Sequence, residues 1–120
     1  MEDAEKYAEQ SLRYLENALL HLNQGDYDKA SEFLWGSVAE AVKAVAASRG
    51  LNLTKHVELW EFVGELAKEL DEESIYDNFR TANYLHSNFY EIELRPEEVL
   101  DASESVRQLV ACLLELVAKK

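Results

Sequence analysis

Apolar residues recur every three or four positions through nearly the whole chain, and no segment shows the strict alternation of a half-buried strand. From about Glu2 to Leu22 this spacing sets Ala4, Ala8, Leu12, Leu15, Leu19 and Leu22 on one helical stripe. Asn23-Gln24-Gly25 stops that helix, and the Asp26 carboxylate is placed to cap the next. The second segment, about Tyr27 to Ser48, is apolar over more than half its circumference through Ala30, Phe33, Leu34, Val38, Ala41, Val42 and Val45. It is therefore expected to be the central, most buried helix. Its single polar stripe runs Glu32, Gly36, Glu40, Lys43 and Ala47, and Arg49-Gly50 supplies a basic last turn and a left-handed stop.

After a short loop from Leu51 to Lys55, a third helix turns Leu59, Phe62, Val63, Leu66 and Leu70 inward and Glu58, Glu61, Glu65 and Glu69 outward. Asp71-Glu72-Glu73-Ser74 reads as the acidic start of a fourth, with Ile75, Phe79, Ala82, His86 and Phe89 on one stripe. It breaks before Arg95-Pro96, and Pro96 suits the first position of a fifth. There Val99, Ala102, Val106, Leu109, Leu113 and Leu116 form a stripe that Val110, Leu114 and Val117 widen. Helices of this length joined by short connections pack as neighbours of opposite direction, so the pattern predicts an all-α fold: an antiparallel up-and-down bundle of four to five helices in one domain, residues 1–120. The wide stripes of the second and fifth helices exceed what one four-helix core covers, and a symmetric homodimer is expected.

Composition narrows the function. At 120 residues the chain is long enough to bury roughly two-thirds of its unfolded surface, and 48% hydrophobic residues set it apart from disordered chains. One cysteine, Cys112, permits no internal disulfide, and its apolar helix marks it as an inert thiol. No apolar run approaches the roughly 20 residues that span a bilayer, and Met1-Glu2-Asp3-Ala4-Glu5-Lys6 is acidic where a signal peptide is basic. A cytoplasmic protein with no membrane partner is expected. Twenty-four acidic residues against twelve basic ones give a net charge of −12, which disfavours indiscriminate binding to nucleic-acid phosphates.

Several chemistries are excluded by spacing. Di-metal carboxylate bundles need Glu-x-x-His, and the residues three before His21, His56 and His86 are Ala18, Leu53 and Asn83, so no metal site and no cofactor is expected. Gly-rich phosphate loops and Gly-x-Ser-x-Gly elbows do not occur. Two polar clusters remain. Glu40 and Lys43, three apart on the second helix, are either a solvated stripe, the more frequent case, or an internal ion pair or ligand site. The second lies on the fourth helix and comprises Arg80, Asn83, His86, Asn88, Tyr90 and Glu91. His86 sits on the apolar stripe, where the ordinary role is a core or interface histidine held by a hydrogen bond.

Three segments, Leu34 to Gly50 (LWGSVAEAVKAVAASRG), His56 to Leu66 (HVELWEFVGEL) and Ala82 to Glu91 (ANYLHSNFYE), together resemble the PaREP family of archaeal paralogous repeat proteins. That family is placed in the HEPN superfamily (higher eukaryote and prokaryote nucleotide-binding). The resemblance implies a HEPN-like bundle, and many HEPN proteins are metal-independent ribonucleases, often toxins paired with an antitoxin protein. Their motif is an Arg, four to six residues, then a His on the fourth helix, which Arg80 and His86 match, with Asn83 and Tyr90 as supporting candidates. Glu40, Lys43, Asn88 and Glu91 are weaker binding candidates. Active members usually carry Asn, Asp or His directly after the Arg, whereas Thr81 stands here. The chemistry implied is attack of a ribose 2′-hydroxyl on the adjacent phosphate, with His86 moving the proton and Arg80 stabilising the phosphorane. Six helical residues separate the two side chains by about 120° around the axis and about 9 Å along it, so a working site would be assembled across a dimer two-fold. The other implied function is a non-catalytic nucleotide-binding or protein-interaction module, which an acidic surface suits better.

Overall fold

The computed structural model describes residues 2–91 and 95–118, with the side chains of 2, 88–91 and 118 excepted. Among the described residues five helices follow one another: α1 (Glu2–Asn23), α2 (Tyr27–Ser48), α3 (His56–Leu70), α4 (Glu73–Glu91) and α5 (Pro96–Ala118). No strand occurs among the described residues. The boundaries fall at the punctuation in the sequence. Gly25 and Gly50 take left-handed φ of 77° and 79°, the Asp26 carboxylate accepts the Lys29 N–H, and Pro96 opens α5.

One boundary differs from expectation. Asp71 does not start α4; at φ 51° it closes α3, its N–H bonded back to the Ala67 and Lys68 carbonyls. Asp tolerates this left-handed position better than most residues because its short side chain bonds locally.

α2 packs against all four other helices, as its apolar circumference requires. Leu34, Val38, Val42 and Val45 from α2 meet Leu59, Val63 and Leu66 from α3, Phe79 and Leu85 from α4, and Val106, Leu109 and Leu113 from α5 in one contiguous core. Each such side chain contributes about 1.5–3 kcal/mol when fully removed from water. On α4 Phe79, Ala82 and Leu85 are fully buried, and His86 stands at the stripe's edge.

The α1 face is rotated from the expected one. Ala4, Ser11 and Ala18 are buried and Ala8, Leu15 and Leu22 are half-buried, while Leu12 is 53% exposed. The reason is a close helix contact made by small residues. The Ser11 hydroxyl donates to the Ser37 carbonyl at 2.7 Å, and the Ser37 hydroxyl donates to the Ser11 carbonyl at 2.9 Å. Side chains that reach across to the opposite backbone bring the two helices nearer than leucines would allow. Beside this contact, a methyl group on Gly36 would lie 3.0 Å from the Tyr14 ring. Leucines therefore flank the seam, and hydroxyls and methyls fill it.

Candidate functional site

The polar cluster is built where α2, α3 and α4 meet. Trp35, on the buried side of α2, is its floor. The Trp35 ring lies 5.3 Å from the His86 ring of α4 and 5.3 Å from the His56 ring at the start of α3, and the Phe79 edge braces it from beneath at 5.6 Å. The two imidazoles lie nearly parallel, their centres 6.2 Å apart and their planes inclined by 26°. Each is held by a polar partner. His86 Nδ1–H donates to Glu32 Oε1 at 3.0 Å, and His56 Nε2–H donates to Asn83 Oδ1 at 3.0 Å. Side-chain exposures of 33% for His86 and 35% for Glu32 leave that pair in contact with solvent.

The sequence places these groups for local reasons. Glu32 precedes Trp35 by three residues and Asn83 precedes His86 by three, so each pair shares a face of its own helix. His56 is presented by the first turn of α3, which Glu58 anchors. Its carboxylate accepts the N–H groups of Thr54 at 2.8 Å and Lys55 at 2.9 Å. Those two bonds, that from Lys55 foremost, hold the Glu58 carboxyl below the usual carboxylate range.

Of the residues singled out in the sequence, His86 and Asn83 are in this cluster and Arg80 is turned away from it. The Arg80 side chain is 63% exposed. It donates to Asp77 Oδ1 at 2.8 Å and lies over the Tyr76 ring at 5.7 Å. That side of α4 borders a groove lined by Trp60, Gly64, Glu65 and Tyr76. Within the chain Arg80 and His86 thus serve different neighbours, as six residues of helix require. Glu40 and Lys43 form a half-buried pair at 3.4 Å along the α2 polar stripe. The side chains of Asn88, Tyr90 and Glu91 lie outside the described ones. Glu32, Trp35 and His56 are the members that motif reasoning missed. Glu32 belongs to a stripe already recognised as polar, and a periodicity argument extended to which helix faces that stripe would have found it.

A model of the Archaeal PaREP1/PaREP8 family matches residues 6–110 of this sequence. The chain belongs to that family. All the PaREP cluster residues with described side chains fall inside the matched span. Among solved structures, this PaREP chain is similar to a protein of Sulfolobus solfataricus, with 25% identity, 90% of this chain and 96% of that one covered, and a TM-score of 0.80. It is also similar to the protein TT1696 of Thermus thermophilus, with 18% identity, coverage of 97% and 99%, and a TM-score of 0.82. Both likenesses extend over nearly the whole chain and concern its fold. No curated protein matches the sequence. Among the described residues of the PaREP chain, no group of three or more His, Cys, Asp or Glu is placed to hold a metal ion, and no helix is long and apolar enough to cross a membrane.

Proposed function

We propose that this PaREP chain is a single-domain, cytoplasmic, antiparallel up-and-down bundle of the HEPN type that works as a homodimer and cleaves RNA without a metal, in the manner of HEPN toxins. The observation that carries this reading is the His86–Glu32 pair at 3.0 Å. A carboxylate that accepts from Nδ1 fixes the ring and makes Nε2 the proton-accepting nitrogen, the arrangement a general base needs. The 2′-hydroxyl gives its proton to His86 Nε2, O2′ bonds to phosphorus, the P–O5′ bond breaks, and a 2′,3′-cyclic phosphate results. Arg80 points away from His86 of its own chain, so the phosphorane's charge is met by the partner's Arg80 across a two-fold axis, the guanidinium exchanging its exposed Asp77 contact for the phosphate. The short connections at residues 24–26, 49–55 and 71–72 support the antiparallel arrangement, and an antitoxin protein is the partner such a toxin requires.

A second reading, a non-catalytic nucleotide-binding or protein-interaction module, draws on the same Arg80–Asp77 ion pair and on the net charge of −12. The two are separated by incubating the protein with labelled RNA in EDTA and measuring its sedimentation. Cleavage by a dimer, reduced about a hundredfold or more in His86→Ala with an unchanged melting curve, is expected. A folded parent that leaves RNA intact, or a His86→Ala variant as active as the parent, would refute the nuclease reading.

A further inference from the structure

We propose that His56 is the second proton-transfer group of this site, the general acid that protonates the leaving 5′ oxygen while His86 removes the 2′ proton. This rests on the ribonuclease reading above and adds the half of the reaction that His86 alone leaves open. An alkoxide leaving group expelled unprotonated from a phosphodiester is a strong base, so a donor at that oxygen accelerates scission as much as a base at the other.

The geometry meets what such a donor needs. In an in-line displacement the entering and leaving oxygens sit about 3–4 Å apart across phosphorus, and each lies about 2.6–3.2 Å from its nitrogen, so the two nitrogens must be about 6–9 Å apart. The two ring centres are 6.2 Å apart and the rings are inclined by only 26°, a separation on that scale. Both rings pack on Trp35 at 5.3 Å, so their separation is set by the fold. Their polar partners differ in the sense the two roles require. Glu32, a carboxylate, supports the ring that gains a positive charge during attack. Asn83, a neutral amide, accepts the Nε2–H of His56 whether that ring is charged or neutral, so the ring keeps its orientation as it gives up a proton from Nδ1. His56 is also exposed, so burial does not account for its contacts with Trp35, His86 and Asn83.

Atoms balance over the step. His86 ends protonated, His56 ends neutral, the O2′–P bond replaces the P–O5′ bond, and the departing nucleoside carries the proton from His56. Exchange with water resets both rings.

The test compares two leaving groups on the full-length protein: ribodinucleotides of all four bases, whose 5′ oxygen needs a proton, and nucleoside 3′-(4-nitrophenyl phosphates), whose nitrophenolate leaves without one. His56→Ala is expected to lose about a hundredfold or more on the dinucleotides and less than about threefold on the nitrophenyl esters, whereas His86→Ala loses both. Asn83→Ala, which only frees the His56 ring, is expected to show a smaller loss with the same leaving-group dependence. His56→Gln repeats the experiment with a polar side chain that keeps the Asn83 contact if the alanine variant fails to fold. Equal losses on both substrates, or on neither, would overturn the assignment of His56 while leaving the nuclease intact. A parent inactive on both would overturn it together with the ribonuclease reading.

Discussion

Ser37→Leu tests the small-residue seam between α1 and α2 most directly. In the folded protein Ser37 is fully buried, its hydroxyl 2.9 Å from the Ser11 carbonyl and 3.3 Å from the Ser11 hydroxyl. Leucine first removes one buried hydrogen bond, a loss of about 1 kcal/mol. It then forces a branched side chain into a contact sized for an oxygen, which costs about 1–3 kcal/mol. Displacing α1 also lengthens the 2.7 Å bond from Ser11 to the Ser37 carbonyl and leaves a buried hydroxyl underbonded, about 1–3 kcal/mol more. The combined loss, about 3–5 kcal/mol once relaxation is allowed, is a large share of the roughly 5–15 kcal/mol typical of a domain. For 120 residues the unfolding entropy is about 0.25 kcal/mol/K, which converts that loss to a fall of about 12–20 °C in melting temperature. Ser37→Ala, which removes only the first bond, should fall by about 4 °C. Thermal unfolding followed by circular dichroism measures both. A leucine variant that melts within a few degrees of the alanine variant would show that α1 and α2 are not in close contact at this point, and the rotated α1 face would have to be abandoned.

Two other outcomes are expected. Val106→Asp buries an unpaired carboxylate in the fully covered α5 stripe and should destabilise by several kcal/mol, whereas Glu104→Ala on the exposed face should change little; equal chemical-denaturation midpoints would contradict the α5 core face. Glu58 has its folded pKa depressed by the Lys55 and Thr54 N–H bonds, so its contribution is present above the ordinary glutamate range and is lost as pH falls through the depressed value. Glu58→Gln should therefore melt below the parent at pH 7 and converge with it as both are acidified, and a gap that widens on acidification would reverse the assigned sign.

The helices were legible because their ends are written in single residues: Gly25, Gly50 and Pro96 punctuate a chain whose periodicity leaves no rival to helix. The face of α1 was not, because periodicity ranks leucine above serine, and a seam of Ser11, Ala18, Gly36 and Ser37 is recognised only once two helices are set side by side. The candidate site divides along the same line. Asn83 and His86 share a helix and a motif, so they could be grouped by counting. Glu32 and His56 lie 54 and 30 positions from His86, and their meeting depends on the register of three helices, which no local pattern encodes. Asp71 misled for a simpler reason: an acidic run marks a helix start well, but its first member can belong to the helix before it.

The Trp35 floor has an optical consequence. Protonated imidazole quenches indole fluorescence by accepting an excited electron, and Trp35 carries one imidazole on each of two contacts at 5.3 Å. The chain has only one other tryptophan, Trp60, which lies against Phe79 and Tyr76. A Trp60→Phe protein would therefore emit from a single indole, Trp35, packed against both rings, so that the arrival of anything that settles between His56 and His86 is readable in a cuvette without a label.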